Sequence, residues 1–258
     1  MASSNIFDHV ISPVPRYMMR LERIQRLFDT QIPGVKRFLE IGPGLGDVAA
    51  FLLQRYPDAS GEVIEFSKAA AEQLDARFSH SGRLMIHTND FLTCSSHGGF
   101  DLIMAFEVLE HIDEDLIALQ RIESALEPGG YLLASVPAYM RKWQKVDEWA
   151  GHVRRYEKHE LQDKLSKTGF SVRTLWGYGF PVTALSYPLR QLFYRSSKRG
   201  ASADEMRLAT ERSGVSRPMH APSLAPWLAR ALLPLFSIQH VVRHSSLGDG
   251  WIVLAQKK

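Results

Sequence analysis

A doubly wound α/β fold around a mostly parallel sheet is predicted by three observations. Short apolar runs alternate with helix-period segments through the first 136 residues, the pattern of crossover units that place helices on both faces of a sheet. The runs are continuously apolar, as expected of strands buried on both sides. Glycines stand at 42, 44 and 46, directly after the first run. Without Cβ atoms the chain there can turn sharply from strand to helix and let a ligand lie against its backbone.

The elements follow in order. Over residues 17–28, Met18, Leu21, Ile24 and Phe28 recur at helical spacing, which predicts an amphipathic helix that either packs on the sheet or caps a ligand site. The first strand covers 38–41. The helix after the glycine turn presents Val48, Phe51, Leu52 and Arg55 on one face and stops at Tyr56-Pro57, because proline cannot continue it. A second strand ends at Glu65, and Ser67 caps an alanine-rich helix. A third strand covers 83–87 and a fourth covers 100–106. Asp113 opens a helix with Leu116, Leu119, Ile122 and Leu126 on one face, closed by Pro128-Gly129-Gly130. The fifth strand covers 131–136, and residues 138–156 read as an ordered loop. A helix over 157–168 ends at Gly169, before strands over 170–175 and 250–256. The sheet is therefore seven-stranded, with an N-terminal helical cap (1–35), a core (36–179 and 249–258) and a large, mainly helical insertion (180–248) before the last strand.

Composition narrows the class. At 258 residues and 45% apolar content the chain can bury one sizeable core. A single cysteine, Cys94, excludes an intramolecular disulfide framework and fits a reducing, cytoplasmic compartment. The N-terminus does not read as a secretory signal, and no run of about 18 apolar residues is present to span a membrane. The net charge is only +3, yet residues 180–248 hold nine Arg or Lys against three acids, so the remainder is mildly acidic. The insertion pairs this basic character with apolar residues and six prolines. It suits a substrate lid, a homodimer contact or a peripheral membrane contact. Nucleic acid is not expected, because its aromatics are not interleaved with a basic stripe.

In an open parallel sheet, ligands bind beyond the C-terminal ends of the strands. Glu40 with the glycines, Glu65, Asp90 and the segment from Phe106 to His111 all fall there. An acid about twenty residues past the glycine turn can accept hydrogen bonds from ribose hydroxyls. The dinucleotide spacing would need a glycine at position 47, where this chain has Asp47, so a dehydrogenase is disfavoured. Acids beside the turn suit a cofactor carrying an ammonium and a sulfonium.

Glu40-Ile41-Gly42-Pro43-Gly44-Leu45-Gly46 resembles the first motif of class I S-adenosylmethionine-dependent methyltransferases, a Rossmann-like family. Phe106-Glu107-Val108-Leu109-Glu110-His111, then Leu126-Glu127-Pro128-Gly129-Gly130, matches that family's fourth strand and its approach to the fifth. The Glu-His version, with Gly151-His152-Val153-Arg154-Arg155-Tyr156 and Thr168-Gly169-Phe170, is similar to the small-molecule branch containing ubiquinone-biosynthesis O-methyltransferases. The resemblance implies that Gly42, Gly44 and Gly46 admit the aminocarboxypropyl chain of S-adenosylmethionine, with Glu40 near its ammonium. It implies that Glu65 holds the ribose, that Phe66, Asp90 and Phe91 meet the adenine, and that Phe106 and Glu107 line the sulfonium end. The product would be S-adenosylhomocysteine.

Methyl transfer to a hydroxyl needs alignment and removal of a proton, which histidine can accept near neutral pH. His152 is the first candidate base, from its place after the fifth strand. His111 is the second, with a structural role beside Glu107 or Glu110 as its alternative, and Tyr156 is the third. No metal is expected, since the histidine spacing suggests none and methyl transfer requires none. The expected function is methylation of a small, fairly hydrophobic acceptor, at oxygen. N- or C-methylation and a non-catalytic cofactor-binding role are the alternatives.

Overall fold

Successive residues of each central strand point to opposite faces, and both faces are buried. On β1 (Arg37–Ile41) Phe38 faces one core while Leu39 and Ile41 face the other. On β4 (Phe100–Phe106) Leu102, Met104 and Phe106 oppose Ile103 and Ala105 in the same way. That is why these runs are apolar throughout. A computed structural model of the chain describes residues 4–11, 14–94, 98–185, 231–232, 234 and 236–258.

The remaining strands are β2 (Ser60–Ile64), β3 (Leu84–His87), β5 (Leu126–Pro137), β6 (Phe170–Tyr178) and β7 (Gly250–Lys257). They form one seven-stranded sheet in the order β3-β2-β1-β4-β5-β7-β6, parallel except for β7, which runs antiparallel between β5 and β6. One face carries α1 (Pro15–Thr30), α2 (Asp47–Arg55) and Leu74 of α3 (Lys68–Phe78). The other carries α4 (Asp115–Ala125) and α6 (Lys158–Lys167). The strand order reverses between β1 and β4, which opens a crevice at their C-terminal ends.

Local chemistry sets the element ends. Ser67 accepts from the Ala70 amide at the start of α3, and Gly169 takes φ +89° after α6, as expected of an N-cap and a helix stop. Three expectations are corrected. The fourth helix begins at Asp115 rather than Asp113. Residues 126–130 are the beginning of β5, because Leu126 pairs with Phe100 across an irregularity that the glycines permit. The stretch read as loop holds a short helix, α5 (Lys145–Ala150), which has a capping box of Gln144 and Asp147 and ends at Gly151 with φ +79°.

The expected lid, dimer and membrane roles of 180–248 fall mainly on 186–230, outside the described residues. The returning part is anchored. Phe236 is fully buried, Gln239 donates to the Met19 carbonyl and to Glu22, and His240 pairs with Glu22 at 2.7 Å. No described helix is long and apolar enough to cross a membrane.

Candidate active site

A cavity of ≈ 280 Å³ opens at the crevice between β1 and β4. Its floor is the glycine turn. Gly42 and Gly44 take φ of +64° and +57°, and a Cβ on Gly42 would stand 2.9 Å from a Val108 methyl. Both the left-handed backbone and the close approach require glycine there. Glu40, at the end of β1, points into the same space. It is 2% exposed, and its Oε2 has no hydrogen-bond partner among the described residues. Burial, reinforced by Asp47, pushes its pKa up to about 8.

Helix α1 forms the roof and contributes Arg16, Tyr17, Arg20 and Ile24. Arg16 reaches Glu107 at 2.6 Å and Asp249 at 3.1 Å, while Arg20 lies 3.5 Å from Glu107. Glu107 also accepts from Tyr178 at 2.7 Å and from Ser135 at 3.0 Å. Against the upward push of burial, the two guanidinium groups and the Tyr178 hydroxyl hold the Glu107 carboxyl well below its usual range. Its φ of +58° is rare for a side chain of this size. Tyr17 donates to Asp47 at 2.8 Å, and Arg77 pairs with the other oxygen of Asp47 at 2.7 Å. The acid beside the glycine turn is therefore already paired within the protein.

The far wall comes from α5 and the segment after it. His152 presents Nδ1 to Asp147 Oδ1 at 2.8 Å. Arg155 grips the same carboxylate with two bonds of 2.9 and 2.8 Å and extends to Asp249 at 3.2 Å. Against burial, these partners hold Asp147 below its ordinary value. His111 stacks edge-on to His152, with ring centroids 4.7 Å apart, and its Nδ1 lies 3.3 Å from the Gly151 carbonyl. Burial, then the neighbouring His152, pushes His111 down to about 3. Glu110 behind them is fully buried, and burial followed by Glu107 raises its pKa well above the usual range.

Of the residues singled out in the sequence, Glu40, Gly42, Gly44, Phe106, Glu107, His111 and His152 line this cavity. The others lie elsewhere. Gly46 caps α2 and packs on Leu74 and Phe78. Glu65 directly follows β2 and accepts from the Ser67 amide at 2.9 Å, with Phe66 half-buried beside it. Asp90 accepts from the Leu92 amide, and Phe91 is buried in the core under α4. Tyr156 is 1% exposed, and its hydroxyl donates to the Leu109 carbonyl and to Asp115 at 2.8 Å, away from the lining. Burial and Asp115 both raise its pKa.

Sequence reasoning missed Arg16, Arg20, Asp147, Arg155 and Asp249. The i, i+4 spacing of Arg16 and Arg20 was a usable signal for a basic stripe facing one ligand.

A family model described as a methyltransferase domain matches residues 13–175, more than half of the chain. The chain belongs to the methyltransferase family. Among curated methyltransferases it is similar to an uncharacterized one from Mycobacterium bovis, 27% identical over 107 residues, covering 41% of this chain and 53% of that protein. It is also similar to the trans-aconitate 2-methyltransferase of Rhodopseudomonas palustris, 28% identical over 142 residues, covering 52% of this chain and 54% of that one. The chain spans about half the length of these curated relatives. Among solved methyltransferases, the N-methyltransferase NodS from Bradyrhizobium japonicum, in complex with S-adenosyl-L-homocysteine, shares the fold. Its TM-score is 0.53 at 17% identity, over 93% of this chain and 87% of that one.

Proposed function

We propose that this methyltransferase moves a methyl group from S-adenosylmethionine to an oxygen of a small, fairly hydrophobic acceptor. The observation that carries the reading is Glu40, a buried carboxylate with an oxygen lacking any described partner, aimed into a cavity whose floor is bare backbone. A buried acid in that state lacks a cation, and the ammonium of the cofactor would supply one. The residues present therefore fit the cofactor.

When bound, S-adenosylmethionine supplies a methyl group activated by a sulfonium. In this reading Glu40 holds the ammonium, while Gly42 and Gly44 admit the chain that carries it. Glu65 takes the ribose hydroxyls, and Phe66, Asp90 and Phe91 serve the adenine. Phe106 and Glu107 border the reacting end. Arg16 and Arg20 close the roof and exclude water, which strengthens every electrostatic contact inside. The acceptor enters from the α5 side, where His152 handles its proton in a ring orientation fixed by Asp147. The Glu110-His111 motif supports a small-molecule branch like that of ubiquinone-biosynthesis O-methyltransferases.

Calorimetric titration with S-adenosylhomocysteine, followed by turnover on a panel of phenols, carboxylic acids and amines, tests the reading. Binding and O-methylated product are expected, and no cofactor binding up to millimolar concentration would sink it. His152→Ala should slow turnover by about 10²- to 10⁴-fold, the usual worth of a general base, and leave S-adenosylhomocysteine affinity nearly unchanged.

A further inference from the structure

On the α5 side of the cavity, Glu110, His111 and His152 each bring one ligand atom to within 4.8 Å of the other two. His111 and His152 line the cavity, and Glu110 lies directly behind them. We propose that these three side chains form a binding site for a divalent first-row transition cation of the zinc type, open to the acceptor side of the cavity.

Four features carry this assignment. The first is Glu110, which is 0% exposed and has no hydrogen-bond partner for either carboxylate oxygen among the described residues. His152 Nε2 stands 3.8 Å from its Oε1. Second, each imidazole is held through Nδ1, His152 by Asp147 at 2.8 Å and His111 by the Gly151 carbonyl at 3.3 Å. An Nδ1–H donated in this way puts the lone pair on Nε2 and fixes the ring, which is how metal-ligating histidines are oriented. Third, the support is rigid. Arg155 holds Asp147 from the far side with two bonds, and the Glu110 carbonyl accepts from the Val153 amide at 2.9 Å, tying the two histidine segments together.

The fourth is the donor set. Two imidazoles and one carboxylate with an open position suit a borderline cation such as zinc, whereas magnesium prefers oxygens in an octahedron. Bonds of about 2.1 Å in a tetrahedron put ligand atoms about 3.4 Å apart. The three atoms need to close by about an ångström, and the Glu110 carboxylate, which no described hydrogen bond holds, is the group that can swing in. Glu107 is not a fourth ligand, because Arg16, Tyr178 and Ser135 already occupy its oxygens.

The role of the cation, unlike the site, rests on the methyl-transfer reading. An acceptor hydroxyl that binds the open position forms a metal–oxygen bond and loses its proton to water, leaving a nucleophilic oxygen in the cavity. With the cation bound, His152 acts on the acceptor proton through the metal, as a ligand, rather than as the direct base of the cation-free protein.

Chelator-treated full-length protein titrated with zinc(II) and, separately, cobalt(II) tests the site by calorimetry and by the visible absorption of tetrahedral cobalt. One equivalent bound at micromolar or lower concentration is expected, with a cobalt band of low-symmetry nitrogen and oxygen ligation. Glu110→Gln and His152→Ala should each weaken binding by more than the roughly 10- to 100-fold that loss of an outer partner costs. His159→Ala, at an exposed position on α6, should bind as wild type. A cooperative thermal transition for each variant establishes that it is folded. Absence of stoichiometric binding by wild type overturns the proposal, as does binding by folded Glu110→Gln and His152→Ala equal to wild type. Parallel titration with S-adenosylhomocysteine separates the two readings. Cation binding without cofactor binding supports the site while sinking the methyltransferase reading, and cofactor binding without cation binding does the reverse.

Discussion

Glu40 couples the donor side of the cavity to pH. Burial moves its carboxyl from 4.5 in the unfolded chain to about 8 in the folded one, so between those values the folded protein alone keeps the proton. The stability tied to this neutral group is complete below about pH 4.5. It falls by about 1.4 kcal/mol per pH unit as pH rises toward 8. Glu40→Gln, neutral throughout, should abolish that decline, so denaturation at pH 5 and pH 8 should differ less in the variant than in wild type; parallel curves would refute the assignment. An ammonium ligand recruits the ionised form. Wild-type affinity for S-adenosylhomocysteine should therefore climb between pH 6.5 and 8, and the glutamine variant should lose most of that climb. Glu40 and Gly42 were readable because strand, turn and helix start lie within about ten consecutive residues. The pairing of Arg16 with Asp249 was not, because the two are 233 positions apart.

At the level of elements, α5 decides the far wall and was the hardest piece to foresee. Six residues are too few for a helical period to emerge, and only its Gln144–Asp147 box and Gly151 stop mark it. Asp147, itself buried, also reaches beyond that helix to Arg155 and His152. Both partners of the Asp147–Arg155 pair are almost fully buried, so removing Asp147 leaves the buried guanidinium with Asp249 as its one remaining carboxylate among the described residues. Asp147→Ala should cost about 3–5 kcal/mol, visible as a lower urea midpoint, and combining it with Arg155→Ala should recover part of the loss. A cost below about 1 kcal/mol would mean that the pair is not the brace described here. The sheet itself was legible from its apolar runs, with β5 the exception. Its first five residues carry Pro128-Gly129-Gly130, which reads as a helix stop, yet Leu126 still pairs with Phe100.

Across the whole molecule, the roof over the cavity is α1, and α1 is tied to the end of β4 through Glu107 and to the start of β7 through Asp249. Ligand in the cavity should therefore brace the N-terminal helix as well as the glycine turn. Saturation with S-adenosylhomocysteine at 100 times its dissociation constant should add about 2.7 kcal/mol to stability. Amide exchange in residues 15–30 should slow along with that in 42–50. Protection confined to the glycine turn would mean that α1 does not report on cofactor.

The pairing of Tyr178 with Gly250 at the open end of the β6–β7 ladder has an evolutionary side. The chain leaves the sheet after one of these residues and rejoins it at the other, so 71 residues are inserted at a gap one residue pair wide. Length and sequence within such an excursion can drift, or be exchanged between relatives, without changing any strand's neighbour. The anchored return at Phe236 and Gln239 sets the inner limit of what can be swapped. Chimeras joined within 186–230 would probe acceptor choice while the glycine turn and Glu40 stay as they are.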